Sequence, residues 1–204
     1  MSEQRRRRLH LEISREAARL FWAQGVAATT GEQIAEAVGL SVRTLWRHFR
    51  TKESCAEPII AQSAEWFVAA LRRWPRELSI EEHLRAEKQL AGSRTHEQLE
   101  DDLAAVRMVR LGETEPALRS AWLMSADEIE RVLLGIIAAR LGRSEQDVEV
   151  RRYAASVTGA ARVINEVIGE RIVRGELTEL GDPFQDLATA LRVATGGAVG
   201  DPVD

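Results

Sequence analysis

The chain is poor in the residues that build covalent and metal chemistry. It has a single cysteine, Cys55, so an intramolecular disulfide and any cysteine-cluster zinc or iron–sulfur site are excluded. Its four histidines contain no H-x-x-x-H pair, which leaves no metal-ligand spacing on one helix face. Aromatic residues make up only 5% and prolines number five, whereas Ala, Leu, Arg and Glu recur along all 204 residues. That balance favours helix over strand and predicts an all-α fold with neither metal nor cofactor. No apolar run approaches the roughly 20 residues that span a bilayer. The basic start at Arg5 to Arg8 is followed by charges where a signal peptide needs an apolar stretch. These absences predict a soluble, cytoplasmic protein without membrane contact.

What is present is an uneven distribution of charge. The whole chain carries −4, yet residues 1–52 hold ten basic against five acidic side chains, a net +5. The remaining 18 basic and 27 acidic residues leave the rest at −9. A small basic head on an acidic body implies that only the head meets a polyanion.

Periodicity divides the head into three helices. Over residues 11–24, Ile13, Ala17, Leu20 and Phe21 follow one helix face, and Gly25 is placed to stop it. Thr30-Gly31-Glu32-Gln33 has the form of a capping box, so a short helix with Ile34, Ala35 and Val38 inward should follow. Gly39 and Leu40 break it. Ser41 caps a third helix that buries Val42, Leu45 and Phe49 and turns Arg43, Thr44, Arg47 and His48 outward. Two helices this short must pack on a third to be stable, which is the helix-turn-helix arrangement. Its second helix presents cationic and polar side chains of the kind that read a major groove.

Residues 13–25, 29–41 and 44–53 resemble the DNA-binding domain of TetR-family transcriptional regulators. The likeness includes Gly25 closing the first helix, Ile34-Ala35 in the second, and His48-Phe49 followed by Lys52 at the end of the third. The family usually has tyrosine where Trp46 stands; there it donates to a phosphate, as the Trp46 indole N–H can with a different reach. The resemblance implies a ligand-responsive regulator, a repressor in most cases, that binds a palindromic operator in double-stranded DNA as a homodimer. The expected DNA-contacting residues are Thr30, Ser41, Arg43, Thr44, Trp46, Arg47, His48 and Lys52. Arg43 and Thr44 suit base edges, Arg47 and His48 bases or phosphate, and Lys52 and Thr30 phosphate. Arg5 to Arg8 is either a flexible DNA-contacting arm or a solubilising tail.

The body reads as further helices over residues 52–74, 80–91, 96–111, 116–141, 145–174 and 183–193. Pro58 either kinks the first of these, making a hinge, or lies in its first turn. Cys55 is either a redox switch or an inert apolar residue. The resemblance implies an effector pocket in the body for a small molecule; Trp66, Phe67, Met108, Trp122, Tyr153 and Asn165 are its candidates. Small residues and a broad apolar stripe along 153–172, with the last helix, predict a four-helix seam across a two-fold axis, with Val163, Val167, Leu187 and Leu191 in it. The expected domains are a DNA-binding head at 1–52, a helical effector-binding and dimerisation domain at 53–197 and a flexible tail at 198–204. The rival reading is a helical carrier or enzyme with an incidental basic head. No nucleophile constellation, phosphate-binding glycine loop or metal spacing supports it, so no enzymatic activity is expected.

Overall fold

Ser2 opens the first helix: its hydroxyl accepts from the Arg5 amide at 3.4 Å, and α1 (Glu3–Gln24) runs unbroken to Gly25. Arg5 to Arg8 are thus exposed residues in the first turns of α1 and not a flexible segment. The computed structural model describes residues 2–90, 95–176 and 182–203, except for the side chains of Trp66, Leu90, Ile172 and Pro183. The helices that follow are α2 (Gly31–Ala37), α3 (Val42–His48), α4 (Glu57–Arg72), α5 (Ile80–Leu90), α6 (His96–Leu111), α7 (Pro116–Leu141), α8 (Val148–Arg174) and α9 (Pro183–Ala194). There is no strand among the described residues. The breaks expected at 91–93 and at Gly181 lie outside the described residues.

Two compact units emerge, one formed by Met1–Ser63 with Thr95–Ser125 and the other by Ala64–Arg94 with Ala126–Asp204. The expected boundary at residue 52 is therefore displaced, because α6 and the first part of α7 join the head. The reason is a shared core. Ala105, Met108, Leu118 and Trp122 are buried in one cluster with Ile13, Phe21, Ile34 and Leu45 of the three N-terminal helices. Each large side chain so buried contributes about 1.5–3 kcal/mol. Helices of seven residues cannot form without that gain.

In the second unit α8 and α5 both pack on α9, burying Leu84, Val150, Ala154, Val157 and Leu191. Residues 198–203 are not a flexible tail. Gly196 and Gly197, at φ 60° and 86°, turn the chain back after α9. Val199 is then fully buried, the Ile80 amide donates to the Gly200 carbonyl at 2.9 Å, and the Val203 amide donates to Arg76 O at 2.9 Å. The glycines that suggest fraying in the sequence supply the left-handed turn that docks the segment.

Candidate nucleic-acid interface

Local sequence sets the geometry of the head with little help from elsewhere. Gly25, at φ 86°, ends α1 with its amide on Phe21 O. Thr30 and Gln33 form both halves of the capping box, at 3.3 and 2.9 Å. Gly39, at φ 66°, makes the turn, and the Ser41 hydroxyl accepts from the Thr44 amide at 3.2 Å to start α3.

On α3, Arg43, Trp46 and Arg47 are exposed, with Arg50 just beyond. Thr30 and Ser41 are exposed as well, and Thr44 is half-buried with its hydroxyl 2.8 Å from that of Ser41. The Trp46 ring lies against Gly31 at the start of α2, where any Cβ would collide with it. The sequence reading missed this pairing; a glycine at the first position of a helix was its visible sign.

Two expected contacts have other work in the structure. His48 is half-buried, with Nδ1 3.1 Å from Nε2 of His10 on α1. Burial, then the charges of His48 and Arg6, hold His10 below its ordinary imidazole value. A lowered value favours the neutral ring in the fold. Its contribution to stability is therefore complete above pH 6.5 and lost as pH falls below it. Melting curves should show a loss of stability between pH 7 and about 5.5 that is reduced in His10→Gln; an unchanged slope in the variant would assign the loss to other groups.

The Lys52 ammonium donates to Val26 O at 2.6 Å and Thr29 O at 2.8 Å, with Ala27 O at 3.4 Å. It thereby ties the α1–α2 loop to the end of the helix-turn-helix. Lys52→Ala should cost about 1–3 kcal/mol of stability and leave the salt dependence of DNA binding as in the parent. A flatter salt slope with unchanged stability would return Lys52 to the phosphates.

Further polar residues that sequence reasoning passed over hold the first unit together. Arg15 chelates the buried Asp101 of α6 at 2.7 Å through both Nε and Nη2, and Gln62 of α4 donates to the same carboxylate at 2.9 Å. Buried Ser14 accepts from the Ile59 amide at 3.0 Å, capping α4 from α1. A serine inside the apolar stripe of Ile13 and Ala17 was the available signal. Pro58 is the second residue of α4, behind a short 3-10 turn at Glu53–Ala56. It occupies the first turn, where its missing N–H breaks no helix bond, so it makes no hinge. Burial, with Glu53 and Glu57 adding, pushes the Cys55 thiol up to about 12, which removes its thiolate chemistry at neutral pH.

The candidate pocket residues are dispersed. Met108 and Trp122 are core of the first unit; Phe67 and Tyr153 pack on the core of the second; Asn165 is exposed. The side chain of Trp66 lies outside the described residues. Of the seam candidates, Val163 and Val167 are 51% and 42% exposed on α8, Leu187 is half-buried, and Leu191, only 3% exposed, belongs to the core of its own chain. Leu191 is thus a core residue and not an interface one, because α9 turns that face toward α5 and α8. Among the described residues no helix is long and apolar enough to cross a membrane.

Comparison with known proteins bears on the head and the body separately. Residues 13–59 match the family described as bacterial regulatory proteins, tetR family, and residues 85–192 match the MftR C-terminal domain. The HTH-type transcriptional regulator TcmR of Streptomyces glaucescens is 36% identical over 169 residues, covering 81% of this chain and 75% of its own. Among solved structures, Salmonella enterica GusR aligns with a TM-score of 0.53 at 18% identity over 97% of each chain. Thermus thermophilus FadR, a TetR family transcriptional repressor solved with lauroyl-CoA, aligns with a TM-score of 0.54 at 18% identity over 92% of this chain and 94% of its own. Those two likenesses are evidence of fold. The helix-turn-helix match and the relative aligned along four-fifths of the sequence go further: this chain is a member of the TetR family of DNA-binding transcription regulators, and not an enzyme.

Proposed function

We propose that the protein is a homodimeric repressor that holds a palindromic operator and releases it when a small molecule binds the second unit. The observation that carries this reading is the exposed pair Arg43 and Arg47 on a helix capped and turned as a recognition helix, in the strongly basic N-terminal part of an acidic chain. Arg43, near the start of α3, is suited to chelate guanine O6 and N7, with Thr44 against a thymine methyl. Arg47, Arg50 and the Thr30 and Ser41 caps lie where phosphates are reached, and the Trp46 indole N–H adds one further donor. Two copies set about 34–36 Å apart reach successive major grooves. A ligand favouring any other spacing lowers operator affinity by population shift.

A mobility shift with DNA flanking the protein's own gene, titrated with salt, tests the reading. If two heads contact about four phosphates each, log K falls against log salt with a slope near −7. Arg43→Ala should relax preference at one base pair per half-site at a cost of about 1–3 kcal/mol. Absence of sequence preference in the parent protein would overturn the assignment.

The dimer reading rests on the exposed valines of α8 and separates two substitutions that the sequence treats alike. Val167→Glu should leave melting nearly unchanged and yield a monomer by analytical ultracentrifugation with operator binding lost, because two charges would meet at the two-fold axis. Leu191→Glu places a carboxylate in the core of one chain and should unfold it. A folded, dimeric Val167→Glu would place the interface elsewhere.

A further inference from the structure

His48, the last residue of α3, is held from α1. Its Nδ1 stands 3.1 Å from Nε2 of His10, the two rings meet edge to face with centroids 5.1 Å apart, and the Phe49 ring lies 4.9 Å from that of His10. Both histidines belong to the first compact unit, so the packing of the head itself fixes the contact. The two nitrogens of an imidazole point to opposite sides of the ring. With Nδ1 turned to His10, Nε2 of the half-buried His48 points away from α1 and has no partner among the described residues. His48 also lies one turn beyond Thr44, on the same face of α3. When Thr44 is set against a base, the next turn on that face reaches toward the backbone that borders the groove.

A neutral pair holds one hydrogen between its two facing nitrogens. Either ring could carry an added proton without breaking that bond, but their settings differ. His48 stands with Arg47 in the last turn of α3, where the carbonyl end of a helix favours a cation, and Arg50 follows it. His10 lies within α1, where Arg6, one turn earlier, acts on it by its charge. Glu3 lies 3.8 Å from Arg6 and is itself exposed; no carboxylate is among the charges acting on His10. A proton from solvent therefore settles on His48. Its Nδ1–H then donates to His10 Nε2, its Nε2–H is left to donate outward, and neutral His10 keeps its own hydrogen on Nδ1. A second proton would set two N–H groups against each other, so the pair takes one.

We infer that His10 is a positioning residue for DNA binding: as the acceptor for Nδ1–H of a charged His48, it aims the Nε2–H of that ring at a backbone phosphate of the operator. The inference rests on the reading of the chain as a DNA-binding regulator and adds a proton-linked contact to it. The test uses the full chain and the DNA flanking its own gene. At fixed salt, operator affinity should rise about tenfold from pH 8 to pH 6, as each of two heads takes up a proton and makes a charge-assisted bond. Over the same range the slope of log K against log salt should steepen by about 2, one phosphate per head. His48→Gln, whose amide donates but does not titrate, should lose both changes.

His10→Leu fills the site without an acceptor and should cost about tenfold at pH 6 but less than about threefold at pH 8. His10→Gln, whose side-chain carbonyl reaches the place of Nε2, should restore the parent's affinity at both pH values to within about twofold. Circular dichroism at each pH keeps the comparison to folded protein. Nitrogen NMR of the imidazoles reads the pair without DNA, and His48 should take up its proton before His10. Operator binding by the parent that is independent of pH, a His10→Leu variant that behaves as the parent, failure of glutamine to restore what leucine loses, or His10 charging first would each overturn the proposal. A parent without sequence preference at either pH overturns the regulator reading and this inference with it. A parent that selects its operator but fails any of these tests loses the inference alone.

Discussion

Arg140→Ala should lower the melting temperature by on the order of 10 °C, the largest effect expected of any single truncation away from the hydrophobic cores. The side chain gathers carbonyls from two stretches distant in sequence, Pro75, Arg76 and Leu78 after α4, and Val199 and Asp201 after α9. Alanine leaves these acceptors facing a void, and each acceptor that water fails to reach costs about 1–3 kcal/mol. It also exposes the face of Trp74, whose indole N–H remains held on Leu78 O at 2.9 Å. Part of the loss is recovered by water, so about 3–5 kcal/mol is the expected total. Lysine restores the charge but only three donors in another geometry, and should recover less than half. Scanning calorimetry decides the matter. A melting temperature within about 2 °C of the parent's would mean that the carbonyls are served equally well by solvent.

Gly31→Ala should reduce operator affinity by at least about tenfold while moving stability little. Nothing in the backbone requires glycine at this position, which starts an ordinary helix. The requirement comes from Trp46, whose six-membered ring occupies the place of the missing Cβ. The ring is exposed on its other side and can swing into solvent, so the penalty falls on the recognition surface rather than on the core. With the ring displaced, the exposed face of α3 changes between Arg43 and Arg47. Gly31→Ala combined with Trp46→Ala should then bind DNA no worse than Trp46→Ala alone, a coupling that a double-mutant cycle reads directly. Additive losses would show that the ring and the glycine act independently.

Both predictions turn on contacts that periodicity does not encode, and this marks the limit of the sequence reading. The head was legible because its signals are local: Gly25, the Thr30 and Gln33 box, Gly39 and Ser41 each act within four residues, and the structure uses all of them as expected. The bounds of α6 and α7 were legible for the same reason. Lys52 was read as a phosphate ligand because its charge was visible, whereas the three carbonyls it caps lie more than 20 residues earlier. Leu191 illustrates the same gap in the apolar pattern. The stripe shows which face of α9 is buried but not whether its cover comes from the same chain. Arg15 and Asp101 stand 86 positions apart, and nothing in the local pattern around either one pairs them.

The docking of residues 198–203 has a consequence for the order in which the molecule is made. Every residue of the first unit has been synthesised by Ser125, and that unit contains the whole helix-turn-helix. The second unit cannot complete the ring of carbonyls around Arg140, or bury Val199, until residue 201 has left the ribosome. At about 5–20 residues per second, elongation from Ser125 to that point takes on the order of 4–15 s. During this interval a folded DNA-binding head is tethered to a ribosome beside a body still lacking its last layer. Newly made protein should therefore pass through a stage at which the head is protected from protease and the region around Trp74 is not.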